Sequence, residues 1–246
     1  MKKIYAVFIS GLSVLAFSSC EGFLDKFPET SLSPETFYTS EKELELATNG
    51  FYTMLPSPDN TTDGALQDND LEYHVALSSL QMGNRSAENE TWSSSTWSKL
   101  RELNYYLEHS VNCTSEDIRK KYDGVAYFFR AMFYYEKVRK YGDIPWYDHV
   151  ISANDKASLY RARDSRGFVM QKIMEDLDKA IDGLPVTWTE GVYRINKYAA
   201  YAFKSRVALF EGIWRKYHDV PDETYTKDDG TQLTFCLLYT SDAADE

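Results

Sequence analysis

The chain has 246 residues, with 27 Lys and Arg against 38 Asp and Glu, and a formal net charge of −11. This acidity excludes a nucleic-acid binder, which needs a basic footprint on phosphate, and a polybasic membrane-surface protein. The length and the 43% apolar fraction fit one or two folded domains that need no disulfides; three Cys and four His leave little for a metal cage, and aromatic residues are plentiful at 15%.

Lys2 and Lys3 precede an apolar run, Ile4 to Phe17, that is too short to span a bilayer; Ser18 and Ser19 then lead into Cys20. This is the pattern of a secretory signal peptide ending in a lipobox, with Phe17 where Leu is usual. It predicts cleavage after residue 19, lipidation of Cys20, and firm anchoring through more than one acyl chain. At the other end, Cys236 to Glu246 reads CLLYTSDAADE, and the helical texture stops before it. Read back through the genetic code, this string resembles a transposase adapter used in sequencing libraries. The expected organisation is therefore a signal peptide at 1–19, an incomplete folded region at 20–235, and an adapter-derived tail at 236–246. Cys113 is then the one remaining thiol, expected as a small buried hydrophobe.

Residues 21–34 form an extended leader, with Pro28 and Pro34 blocking helix. Ser40 and Glu43 make a capping box, and Leu44, Ala47, Thr48, Phe51 and Leu55 follow at helical spacing up to Pro56 and Pro58. Residues 56–92 are a long polar excursion. Trp97, Leu100, Leu103, Asn104, Leu107 and Val111 form the next stripe. Thr114 and Asp117 predict the start of a long helix that runs to about Lys140, apolar on most faces and so deep in the fold. Gly142 and Pro145 stop it. A connecting loop at 146–165 leads to a stripe at Val169, Ile173, Leu177, Ala180, Ile181 and Leu184, stopped by Gly183 and Pro185. Asn196 caps the last helix, whose buried side is expected at Ala199, Ala202, Phe203, Arg206, Val207 and Phe210. No strand-like alternation of useful length occurs. The fold class is mostly α, built from antiparallel helix pairs with long loops in a tetratricopeptide-like superhelix.

Several blocks carry a family resemblance. They are Cys20, FLDKFPETSLSPETFY at Phe23–Tyr38, ELELATNGFYTML at Glu43–Leu55, YFFRAMFYYEKVRKYGDIPWYD at Tyr127–Asp148, GFVMQKIMEDLDKAIDGLP at Gly167–Pro185, and RINKYAAYAFKSRVALFEGIWRKY at Arg194–Tyr217. In this order they resemble the SusD/RagB family of outer-membrane lipoproteins; the Tyr127–Asp148 block is the most specific. The resemblance implies a truncated SusD-like fold, since members are about twice this length. It implies a lipid-anchored protein on the cell exterior, which captures oligosaccharides, or peptides in some branches, for a SusC-like TonB-dependent transporter. It implies no enzyme activity and no cofactor.

Within the polar excursion, Trp92 offers a flat apolar face on which a pyranose can stack, with Asn84, Arg85, Asn89 and Glu90 nearby for its hydroxyls. The plain alternative is a Trp that pins the loop to the scaffold. Trp97 reads as core from its periodicity, Trp146 as scaffold, and Trp214 as facing either way. Asp59 to Asp70 partly mimics a calcium loop, but position twelve is Asp where Glu is needed, so no metal site is assigned. Glu175, Asp176 and Asp178 read as a solvent face. The four His have no metal spacing, and the Asn-x-Ser/Thr sites mean little in a bacterial lipoprotein. The rival readings are a helical-repeat adaptor or peptide binder without sugar affinity, and a glycoside hydrolase, for which no acid/base pair is identifiable.

Overall fold

The computed structural model describes residues 37–55, 83, 92–189, 193–218, 223–226, 230 and 232–235. The chain falls into two units, Met1–Phe37 and Tyr38–Glu246, and the second holds every helix and strand among the described residues. Its elements are α1 (Glu41–Asn49) with a 3-10 turn (Gly50–Met54), α2 (Ser94–His109) with a 3-10 turn (Ser110–Asn112), α3 (Glu116–Tyr141), the single-turn α4 (Lys156–Leu159), α5 (Arg166–Gly183), α6 (Lys197–Tyr217), β1 (Glu223–Thr226) and β2 (Gln232–Phe235).

Local chemistry sets several boundaries. The Glu43 amide donates to Ser40 Oγ at 3.4 Å, and the Ser40 amide donates to Glu43 Oε2 at 3.0 Å, so the capping box is complete. The Ser40 amide, joined by that of Thr39, holds the Glu43 carboxyl below its usual range. Gly142 ends α3 at φ +72, where a side chain would be strained. The Asn196 side chain accepts from the Ala199 amide and starts α6.

The helices pair antiparallel, as expected. The start of α3 meets the end of α5, where a Cβ on Gly124 would lie 3.0 Å from Leu184 N; at the other end, Asp143 accepts from the Arg166 amide. On α5 and α6, Lys204 reaches Asp178 near one end and Arg166 reaches Glu211 near the other. On α2 and α3, Trp97 packs edge-on against Phe133 while Asn104 bonds Arg130. Phe129, Tyr134, Ile173, Met174 and Leu177 are fully buried where these helices meet.

Four expectations need correction. The cap of α3 is Ser115, one residue from the expected pair, and its side chain makes no capping bond. Val111 is 61% exposed because α2 ends at His109 and the tighter 3-10 turn rotates it out of the stripe. Ala202 and Arg206 are exposed; the inner face of α6 runs through Ala200, Val207, Ala208, Glu211 and Arg215. Glu175 and Asp176 are buried, because α5 packs between α3 and α6 and has little solvent face. Glu175 accepts from Gln171 and Lys172. On the same helix layer, Glu211 holds two arginines, Arg166 at 2.6 Å and Arg215 at 2.9 Å.

Two further differences are smaller. The 146–165 connection carries α4, capped by Asp155. A hairpin comes after α6, with Glu223 opposite Phe235 and Thr226 opposite Gln232. Four-residue strands are too short for alternation to mark them.

Asp123 on α3 sits beside α2 with Oδ1 unpartnered among the described residues. Burial pushes its carboxyl up to about 6, with Ser110, Arg119 and Tyr106 offsetting only part of that rise. A folded-state pKa above the unfolded value gives stability that is complete below about pH 3.8 and lost as the pH rises through about 6. Urea titrations should therefore show stability rising from pH 7 to pH 5. Asp123→Asn should flatten that slope and gain on the order of 2 kcal/mol at pH 7. An unchanged slope in the variant would place the proton uptake elsewhere.

Candidate functional site

A groove of about 440 Å³ lies between α2 and the 146–165 connection. That volume is within the range of small-molecule sites. Trp92, Trp97 and Tyr147 supply its aromatic surface, and Arg101, Arg161 and Arg163 its charged one.

The aromatic part is a cluster. Trp92, 38% exposed, meets Trp97 at 4.9 Å and Tyr141 at 4.9 Å, both edge-on. Trp97 also meets Phe133 at 5.5 Å and Tyr147 at 6.2 Å. The Arg163 guanidinium lies 5.4 Å from the centre of the Trp92 ring, and Lys137 Nζ 5.7 Å from that of Trp97. Burial, with Lys140 adding repulsion, lowers the Lys137 pKa. Trp92 is thus both a scaffold contact and an exposed groove wall.

The opposite wall is an irregular segment fastened by side chains. Asn104 Nδ2 donates to the carbonyls of Tyr147 at 3.0 Å and His149 at 3.1 Å. The Tyr147 amide donates to the Tyr134 hydroxyl at 2.6 Å, and that hydroxyl donates to the Tyr147 carbonyl at 3.2 Å. Burial raises the Tyr134 pKa although the Tyr147 amide pulls it down, so the phenol keeps its proton. The Val150 amide donates to Glu108 at 2.5 Å, and the Trp146 amide to Asp164 at 2.7 Å. Arg161 pairs with Asp164 and donates to the Trp146 carbonyl.

Beneath this wall lies a buried ion pair. Arg130 donates to both Asp176 oxygens, at 2.6 and 2.7 Å, and to Asn104 Oδ1 at 3.1 Å. The Arg130 and Asp176 side chains are only 5% and 2% exposed. Burial alone would lower the Arg130 pKa; the Asp176 carboxylate overcomes it and raises the net value. Asn104 therefore links a core ion pair to the groove wall in a single step.

Of the residues expected at a ligand site, Trp92 lies in the groove. Asn84, Arg85 and Asn89, like Cys20 and the Asp59–Asp70 segment, lie outside the described residues. Trp97, expected in the core, is half-buried and lines the groove. Trp146 is scaffold as expected, 6% exposed and 4.2 Å from the Tyr134 ring. Half-buried Trp214 stacks on His218 at 4.3 Å. Sequence reasoning missed Arg101, Tyr147, Arg161 and Arg163. The available signal was two arginines two positions apart in a connection that starts with Trp and Tyr. Cys113 is free and buried, as expected.

A sequence model of the SusD-like family, described as starch-binding and associating with the outer membrane, matches residues 22–209. SusD-like protein P38 of Formosa agariphila is 25% identical over 218 residues, covering 85% of this chain and 42% of the relative. SusD-like protein P25 of the same organism is 25% identical over 239 residues, covering 87% and 44%. The chain thus spans less than half the length of these curated relatives. Among solved structures, a SusD-like protein of Bacteroides fragilis matches with a TM-score of 0.61 at 26% identity, covering 79% of this chain and 39% of that one. A SusD-like carbohydrate-binding protein of the same species has the same fold, with a TM-score of 0.56 at 19% identity, covering 75% and 41%.

Proposed function

The chain belongs to the SusD-like family, and on that premise we propose that it captures oligosaccharides in the groove between α2 and the 146–165 connection. The observation that carries this reading is the groove itself: aromatic rings from Trp92, Trp97 and Tyr147 beside hydrogen-bonding arginines, in a volume of about 440 Å³. Aromatic surface packs on the C–H face of a pyranose, and flanking polar groups bind its hydroxyls. Trp92 is the ligand-stacking residue, with Asn84, Arg85 and Asn89 as further contacts. The whole protein binds without catalysis. It is anchored to the outer membrane through lipid on Cys20, faces the cell exterior, and passes its ligand to a SusC-like TonB-dependent transporter. Anchoring holds the captured sugar at a high effective concentration beside that pore. No helix among the described residues is long and apolar enough to cross a membrane.

Affinity electrophoresis in gels containing single polysaccharides tests capture. The chain should be retarded by at least one of them, and Trp92→Ala should weaken that retardation about tenfold, the worth of one aromatic contact. Far-UV circular dichroism confirms that the variant is folded. Saturable binding that Trp92→Ala leaves intact would move the sugar to another surface.

A further inference from the structure

The net charge of the chain is −11, yet the described lining of the groove has the opposite sign. It holds Arg101, Arg161 and Arg163 and no Asp or Glu. Arg161 is neutralised by Asp164. Arg101 donates one Nη1 hydrogen bond to the Ile151 carbonyl at 2.9 Å and has no carboxylate partner among the described residues. Arg163 likewise has none; its guanidinium lies over Trp92. Both are exposed. They approach from different elements, Arg101 from α2 and Arg163 from the returning connection, so their meeting in one concavity comes from the fold.

Sugar hydroxyls donate as well as accept. A site for a neutral sugar is served by carboxylates or amides that can take the donated protons, whereas guanidinium only donates. Two guanidinium groups without carboxylate partners instead match a planar or tetrahedral anion, which accepts two N–H bonds at once. A concave wall of one sign also concentrates counter-charged ligands at its mouth, here against the repulsion of an otherwise acidic protein.

We propose that the groove takes an acidic oligosaccharide, one whose sugars carry a carboxylate or a sulfate, with Arg101 and Arg163 receiving the anion and the Trp92 cluster receiving the ring. This rests on the reading of the groove as the sugar site. The two anions share this chemistry and are separated by comparing ligands that carry one or the other.

Isothermal titration of the full chain with three oligosaccharides of equal length tests the proposal: a uronate oligomer, a sulfated oligomer and their neutral counterpart. At least one acidic ligand should bind at least about tenfold tighter than the neutral one, as expected for one charge-assisted hydrogen bond, and which one binds identifies the anion. Its affinity should fall as NaCl is raised. Arg101→Gln and Arg163→Gln should each weaken it about tenfold without altering the melting temperature. Tighter binding of the neutral oligomer, unaffected by either substitution, would overturn the anion assignment and leave oligosaccharide capture standing. Binding of an acidic peptide with no oligosaccharide binding would overturn both readings.

Discussion

Arg130→Met is expected to cost about 3–5 kcal/mol of stability, because it strands the Asp176 carboxylate in a site from which water is excluded. The same change removes the bonds to Asn104 Oδ1 and the Asp148 carbonyl, so the groove wall loses its foundation together with the helix pair. Asp176→Leu should be damaging for the converse reason, leaving a guanidinium with neutral partners alone. The decisive comparison is the double variant Arg130→Met/Asp176→Leu. Buried ion pairs replaced by apolar groups of similar volume are often close to neutral, whereas broken ones are not. Urea denaturation of the four proteins should therefore place the double variant well above either single one. Additive losses would show that the two groups do not depend on each other.

Gly183→Ala should be the next most damaging change, at about 3 kcal/mol. A Cβ at this position would stand 2.2 Å from the Lys120 carbonyl oxygen, and a backbone atom in a packed helix cannot step aside. Helices α3 and α5 would have to separate along their most extensive contact. At roughly 2–4 °C per kcal/mol for a domain of this size, the melting temperature should fall by about 10 °C. Gly50→Ala is the matched control. Gly50 has ordinary helical angles and nothing within 4 Å of its added Cβ, so the change should be neutral or stabilise by up to about 1 kcal/mol. A Gly183→Ala protein as stable as the parent would mean that the close approach does not exist in solution.

What the sequence made legible was local. The Ser40 capping box, the Gly142 stop and the Asn196 cap each depend on residues within one turn, and each appears where the spacing placed it. A hydrophobic stripe located the inner face of α5 for the same reason, and the apolar character of most faces of α3 placed that helix deep in the fold. Beyond a misplaced cap at Ser115 and a stripe carried one turn too far at Val111, failures came where a partner lay far along the chain. Asp176 looks like surface on its own helix, yet α5 packs between two helices and Arg130, 46 residues away, pairs with it there. Trp92 could be singled out as an aromatic ring among polar neighbours. Arg161 and Arg163 stood out only as a pair within one connection, and nothing tied them or Arg101 to Trp92, since α2 and the connection after α3 must fold back before they meet.

The wall formed by residues 146–150 has another consequence. Its backbone is irregular, yet the Trp146, Tyr147 and Val150 amides are each held by a side chain, and Asn104 joins the segment to the Arg130–Asp176 pair. Opening it requires breaking polar contacts that run through Asn104 into the core, so it should open less readily than a surface loop without them. The concavity is preorganised: an entering molecule meets walls whose conformational entropy was already surrendered when the helices packed. For the capture proposed above, this predicts fit to an existing shape, with little affinity lost to ordering the protein.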